Sequence, residues 1–192
     1  MSVIMGFVGP RGDGKTLAMT AALIHGYKRN KTIYSNYGLK FPPSEENPSP
    51  VLPLRATTLT EFADADSGLQ DAIVAVDEIH VWLDSRSSQT KRNKVASYMV
   101  TQSRKRDVDV FYTTQLLHQV EKRVRDNTDI IVKCENLNRA RDRGRPLEQH
   151  QPYIRLTILQ TDRGKFSTKY IPPTRARKIA RLYDTNQIIP FE

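Results

Sequence analysis

The sequence holds a single cysteine, Cys134, among 192 residues. One thiol excludes an intramolecular disulfide and suits a reducing cytoplasm. No His or Cys lies near it at ligand spacing, so it reads as a small core residue on a strand rather than a metal ligand. Long apolar runs are missing too. Nothing approaches the roughly 20 apolar residues that cross a bilayer, and the N-terminal apolar stretch is too short for a signal peptide. No membrane span is therefore expected. Acid is the minority charge: 21 Asp and Glu stand against 30 Lys and Arg, for a net charge of +9 and a pI near 9.7. That balance favours a polyanionic partner, nucleic acid first, with a generic basic surface as the plainer reading. Hydrophobic content of 38% and charged content of 27% fit one globular domain of this length.

Glycine is scarce, with nine in all, yet three fall together at Gly9, Gly12 and Gly14. They belong to Gly9-Pro10-Arg11-Gly12-Asp13-Gly14-Lys15-Thr16, with Leu17 following. Two glycines five apart, followed at once by Lys and Thr, form the phosphate-loop pattern. Glycines let the backbone curl so that several N–H groups can point at phosphate oxygens. Lys15 would supply a point charge to the β- and γ-phosphates, and the Thr16 hydroxyl would ligate Mg²⁺. Val3 to Val8 reads as a buried strand entering the loop, and Leu17 to Ile24 as a helix leaving it. Strand, loop and helix in that order are the context the motif requires.

Asp71 to Glu78 is an apolar run ending in two acids, as a central parallel strand would be. At the carboxyl end of a strand beside the loop, Asp77 fits a Mg²⁺ ligand and Glu78 an activator of the attacking water. His80 adjoins them, with support of the acids and a structural role both open and the structural one preferred. Val108 to Thr114 predicts the next strand, and Gln115 at its end would face the γ-phosphate. Arg86, Arg104, Arg106, Arg123 and Arg125 are candidates for an arginine finger given by a neighbouring subunit.

The remaining segments complete an alternation of strands and helices. Thr32 to Ser35 and Asp129 to Glu135 read as strands; helices are expected over residues 89–106 and around Leu116 to Val124, with a short one starting near Thr57. Five prolines between residues 41 and 53 predict a long loop without regular structure. Tyr153 to Gln160 and Phe166 to Tyr170 predict an edge hairpin around Gly164, and a short basic helix is expected over about 174–183. The fold class is α/β: a mainly parallel sheet flanked by helices, with a C-terminal β-hairpin and short helix. A single domain is expected, its nucleotide-binding core over about 1–137 and the basic loop, hairpin and helix over about 138–192. Two basic runs are candidate DNA surfaces: Lys91, Arg92 and Lys94, and the mobile loop bearing Arg139, Arg141, Arg143 and Arg145. Trp82 is expected in the core or at a subunit interface.

Asp77-Glu78-Ile79-His80, Gln102-Ser103-Arg104 and Thr113-Thr114-Gln115, taken with the loop, resemble the FtsK–HerA division of phosphate-loop ATPases. Within it the chain looks most like viral genome-packaging ATPases and the ATPase domain of zonula occludens toxin-like phage assembly proteins. The resemblance covers roughly residues 3–137. It implies ATP and Mg²⁺ as cofactors, nucleotide binding by Lys15 and Thr16, and hydrolysis driven by Asp77, Glu78 and Gln115. Arg104 aligns with the family's arginine before the Gln strand. Members typically form hexameric rings that pull DNA through a central pore. The leading expectation is a motor that packages double-stranded DNA into a capsid. It would work in the host cytoplasm or at the virion, with capsid portal or vertex proteins as candidate partners. A phage assembly ATPase acting with a membrane partner is the second reading. A nucleotide-dependent switch with little turnover is the third, and a small-molecule kinase the weakest.

Overall fold

The computed structural model of the chain describes residues 2–55, 70–82, 100, 103–146 and 149–184. Its centre is an eight-stranded sheet in the order β3-β2-β4-β5-β1-β6-β7-β8. The strands are β1 (Ile4–Val8), β2 (Thr32–Ser35), β3 (Val51–Pro53), β4 (Ala72–Val76), β5 (Asp109–Thr114), β6 (Ile130–Asn136), β7 (Ile154–Gln160) and β8 (Lys165–Ile171). From β3 to β6 every pairing is parallel; β7 and β8 add antiparallel strands at one edge. This is the expected mainly parallel sheet with a terminal hairpin, followed by the expected short basic helix at Pro173–Ala180.

Alternation along the central strands feeds two apolar layers. Ile73 and Ala75 face one side with Phe7, Ile33 and Phe111; Val74 and Val76 face the other with Ile4, Val110 and Tyr112. Parallel strands buried on both faces read as continuous apolar runs, and all five residues of β4 are buried. The helix α1 (Lys15–Tyr27) covers the first layer with Leu17, Met19 and Leu23. Each such side chain stabilises the fold by about 1.5–3 kcal/mol. Cys134 is buried in the same layer, as expected, and burial pushes its thiol up to about 12.

Three expectations need correction. Val51–Pro53 is a strand inside the proline-rich span, paired with β2 alone. An edge strand has one unpaired side, so prolines there remove no ladder hydrogen bond. The stretch after β5 is not one helix: a 3₁₀ turn at Leu117–Gln119 is separated from a short helix at Lys122–Asp126. Glu121 makes the break by capping the second segment, its Oε2 accepting from the N–H groups of Arg123 and Val124 at 2.8 and 3.3 Å. Finally, Arg139 to Arg145 does not form a free loop. Arg139–Asp142 is a helical turn whose Asp142 is buried and accepts from the Gln151 N–H at 3.1 Å. The helix expected near Thr57, most of that over 89–106, Arg86, the Trp82 side chain and the basic run Lys91, Arg92 and Lys94 lie outside the described residues.

Candidate active site

The phosphate loop joins β1 to α1 at the carboxyl end of the parallel strands. Gly12 and Gly14 have φ of 84° and 78°, the left-handed region where side chains are strained. At Gly14 a Cβ would also meet Ile154 Cδ1 at 2.7 Å, and at Gly9 one would meet the Cys134 carbonyl oxygen at 2.6 Å. Backbone and neighbours thus both demand glycine at positions 9 and 14. Lys15 is buried and curls back over the loop, donating to the Pro10 carbonyl oxygen at 3.3 Å. Its Nζ lies 3.8 Å from Glu78 Oε1.

Strand order assembles the rest. β5 lies between β1 and β4, so the end of β5 stands between the loop and the acid pair. Thr16 Oγ1, at the start of α1, lies 3.0 and 3.2 Å from the two carboxylate oxygens of Asp77. Thr113 Oγ1 donates to Asp77 Oδ1 at 2.6 Å and accepts from the Glu78 N–H at 2.8 Å. From the other side Asn36, just beyond β2, clamps the Asp77 backbone: its Oδ1 accepts from the N–H at 2.7 Å and its Nδ2 donates to the carbonyl at 2.9 Å. Burial pushes the Asp77 carboxyl above the ordinary carboxylate range, against the opposing pull of the Thr113 and Thr16 hydrogen bonds.

Glu78 has φ 50°, uncommon for a residue with a side chain. That conformation costs on the order of 1–3 kcal/mol. One oxygen faces Lys15; the other, Oε2, lies 3.4 Å from His80 Nδ1, and neither of these facing atoms makes a hydrogen bond. His80 therefore touches the acid pair rather than serving the core alone.

The geometry fits a nucleotide and its metal. The loop supplies N–H groups and a cation where a polyphosphate would lie. Thr16 and Asp77 bring two hard oxygen ligands together, enough for a Mg²⁺ that keeps phosphate and water in its shell. Among the described residues no cluster of three or more His, Cys, Asp or Glu offers a metal site built from protein alone.

Other candidates fall elsewhere. Gln115 follows β5 at the correct end of the strand, but no hydrogen bond joins it to Asp77 or Glu78; Thr113, two residues earlier, makes those contacts. Arg104 pairs with Asp129 at 3.0 Å, and Asp129 also accepts from the Ile4 N–H at 2.8 Å. Ile4 opens β1, so within its own chain Arg104 stands at the end of the sheet away from the loop. Arg141, Arg143 and Arg145 are exposed. Arg139 is instead drawn to the loop, donating to Asp13 Oδ1 at 3.3 Å. Asn36, Thr113 and the Arg139–Asp13 pair are features that reading the sequence missed. No spaced motif announces these contacts; each arises from which strands are neighbours.

A glycine-rich loop between a parallel strand and a helix, facing a strand-end acid pair across one intervening strand, defines the phosphate-loop NTPase fold. Residues 7–145 match the sequence profile of the zonular occludens toxin (Zot) family, and the chain belongs to that family. The chain is similar in structure to the N-terminal domain of zonular occludens toxin from Neisseria meningitidis. The two are 18% identical, with a TM-score of 0.63 over 96% of this chain and 100% of that one. It is also similar to the genome packaging NTPase B204 from Sulfolobus turreted icosahedral virus 2, in a complex with ATP-gammaS. That likeness has 13% identity and a TM-score of 0.58, over 88% of this chain and 97% of the other. Among curated protein sequences none matches. No helix among the described residues is long and apolar enough to cross a membrane.

Proposed function

We propose that this chain is an ATP-hydrolysing motor that moves DNA during phage assembly, working in an oligomer and with a membrane-bound partner. The convergence of Thr16, Thr113 and Lys15 on Asp77 and Glu78 carries the hydrolytic part. Membership of the Zot family favours assembly over capsid filling. Packaging of DNA into a capsid is the second reading, favoured by the likeness to a genome packaging NTPase.

The chain's own groups divide the work. Loop N–H groups and Lys15 bind the β- and γ-phosphates and draw off charge as the terminal phosphoryl group leaves. Thr16 and Asp77 would hold Mg²⁺, which would offset the negative charge on the phosphates. Asn36 and Thr113 keep Asp77 in place against the burial that disfavours its charge. Glu78 accepts a proton from water as the water oxygen bonds to the γ-phosphorus and the bond to the β–γ bridging oxygen breaks, leaving ADP and phosphate. Its Oε2 is buried beside His80 Nδ1, so Oε1, the oxygen facing Lys15 and the loop, is the one placed to take that proton. Gln115, just past the end of β5, would orient the water. Arg104, remote from its own loop, would act only on a neighbour's site, as a ring of subunits allows. Arg141, Arg143 and Arg145 would follow a DNA backbone without reading bases.

Steady-state ATP turnover with and without DNA, double- and single-stranded in separate arms, tests the motor reading. Turnover should rise several-fold with DNA and the rise should fade steeply with added salt. Turnover indifferent to both DNA forms would overturn it.

A further inference from the structure

The phosphate loop contains an acid of its own. Asp13 is buried in a segment whose purpose is to receive anions, and its charge opposes that purpose. Arg139 answers it, with Nη1 at 3.3 Å from Asp13 Oδ1. A Cβ built on Gly12 would lie 4.0 Å from the Arg139 Nε. The guanidinium therefore lies across the outer rim of the loop.

Its placement is not accidental. Arg139 follows β6, and β6 flanks β1 on the side opposite β5 and β4. The acid pair approaches the loop from one side and Arg139 from the other. The turn that carries Arg139 is fixed at its base. Asn136 Oδ1 accepts from the N–H groups of Asn138 and Tyr153, and the Leu137 N–H donates to the Tyr153 carbonyl. Asp142, three residues on, is buried and held by the Gln151 N–H. The side chain is 51% exposed, while Asp13 is 8% exposed. An arginine has five N–H donors in a rigid fork, and Asp13 accepts from one nitrogen only.

We propose that Arg139 is a nucleotide-binding residue of its own chain, held on the loop by Asp13 so that its remaining N–H groups take phosphate oxygens. It completes the same site that the nucleotide reading rests on, from the flank opposite Glu78. It acts on binding rather than on water activation, so its loss weakens affinity and leaves the chemical step largely intact.

The test is equilibrium ATP binding to the wild type, Arg139→Gln, Asp13→Asn and the double variant, with turnover and nucleotide-free melting alongside. A partly exposed pair contributes little to stability, so Arg139→Gln should fold. Arg139→Lys, which keeps the charge and loses the fork, provides a second variant. Arg139→Gln should bind ATP about tenfold more weakly, the fold-change expected of one charge-assisted hydrogen bond, and kcat should change far less than KM. The double variant should stay weak. Unchanged binding by Arg139→Gln would overturn the proposal. So would a double variant restored to wild-type affinity, because Arg139 would then only neutralise Asp13. A wild type that fails to bind ATP would remove the nucleotide reading and this inference together.

Discussion

At the scale of single residues the site sets function against stability. Asp77 is buried, and burial raises its carboxyl above the ordinary range. The folded state therefore holds this proton more tightly than the unfolded chain does. This contribution to stability is greatest below the unfolded value of 3.8 and falls as pH rises through the raised folded value. Asp77→Asn should raise the nucleotide-free melting temperature at neutral pH, by about 2–4 °C for each kcal/mol recovered, and abolish ATP turnover. Melting scans beside turnover assays check both halves. Thr113→Val keeps the shape but removes one donor to Asp77 and one acceptor for the Glu78 N–H. Turnover should fall at least tenfold, with ATP affinity less affected; turnover kinetics decide, and an unchanged kcat would mean that Thr113 does not position the acids.

Lys15, Thr16, Asp77 and Glu78 were legible in the sequence because the loop is a local pattern and the acids close an unmistakable apolar strand. Asn36 and Thr113 were not, because their partner is distant in the chain. Asp77 meets them only because β4 is laid between β2 and β5. The pairing of Arg139 with Asp13 was illegible for the same reason: the charge of Arg139 was visible, and its spatial neighbour, distant in the sequence, was not.

At the scale of elements, periodicity located the long strands and α1 to within a few residues, because their apolar runs are continuous. It failed where short-range polar bonds decide. The proline-rich span hid β3, an edge strand that prolines can join. The stretch around Leu116 to Val124 was read as one helix, but Glu121 restarts it. Glu121→Ala removes two side-chain bonds to N–H groups at that helix start and should cost about 1 kcal/mol. A fall of roughly 2–4 °C in melting temperature with unchanged ATP turnover is the expected outcome. Unaltered melting would mean that the cap is dispensable. The charged run after β6 was expected to be mobile, yet buried Asp142 and the Asn136 bonds fold it onto the protein.

At the scale of the whole molecule, one parallel sheet brings a loop, an acid pair and the end of an intervening strand to the same edge. A net charge of +9 suits a partner with a phosphate backbone. The antiparallel hairpin lies beyond β6, and Ile154 at the start of β7 packs against Gly14 of the loop. The central claim is that the edge hydrolyses ATP through Glu78. The most direct measurement compares ATP binding and ATP turnover in the wild type and in Glu78→Gln, which keeps size and loses the basic oxygen. The account predicts that the variant still binds ATP and that its turnover falls by about 10²–10⁴-fold. Equal turnover in the two proteins would contradict it.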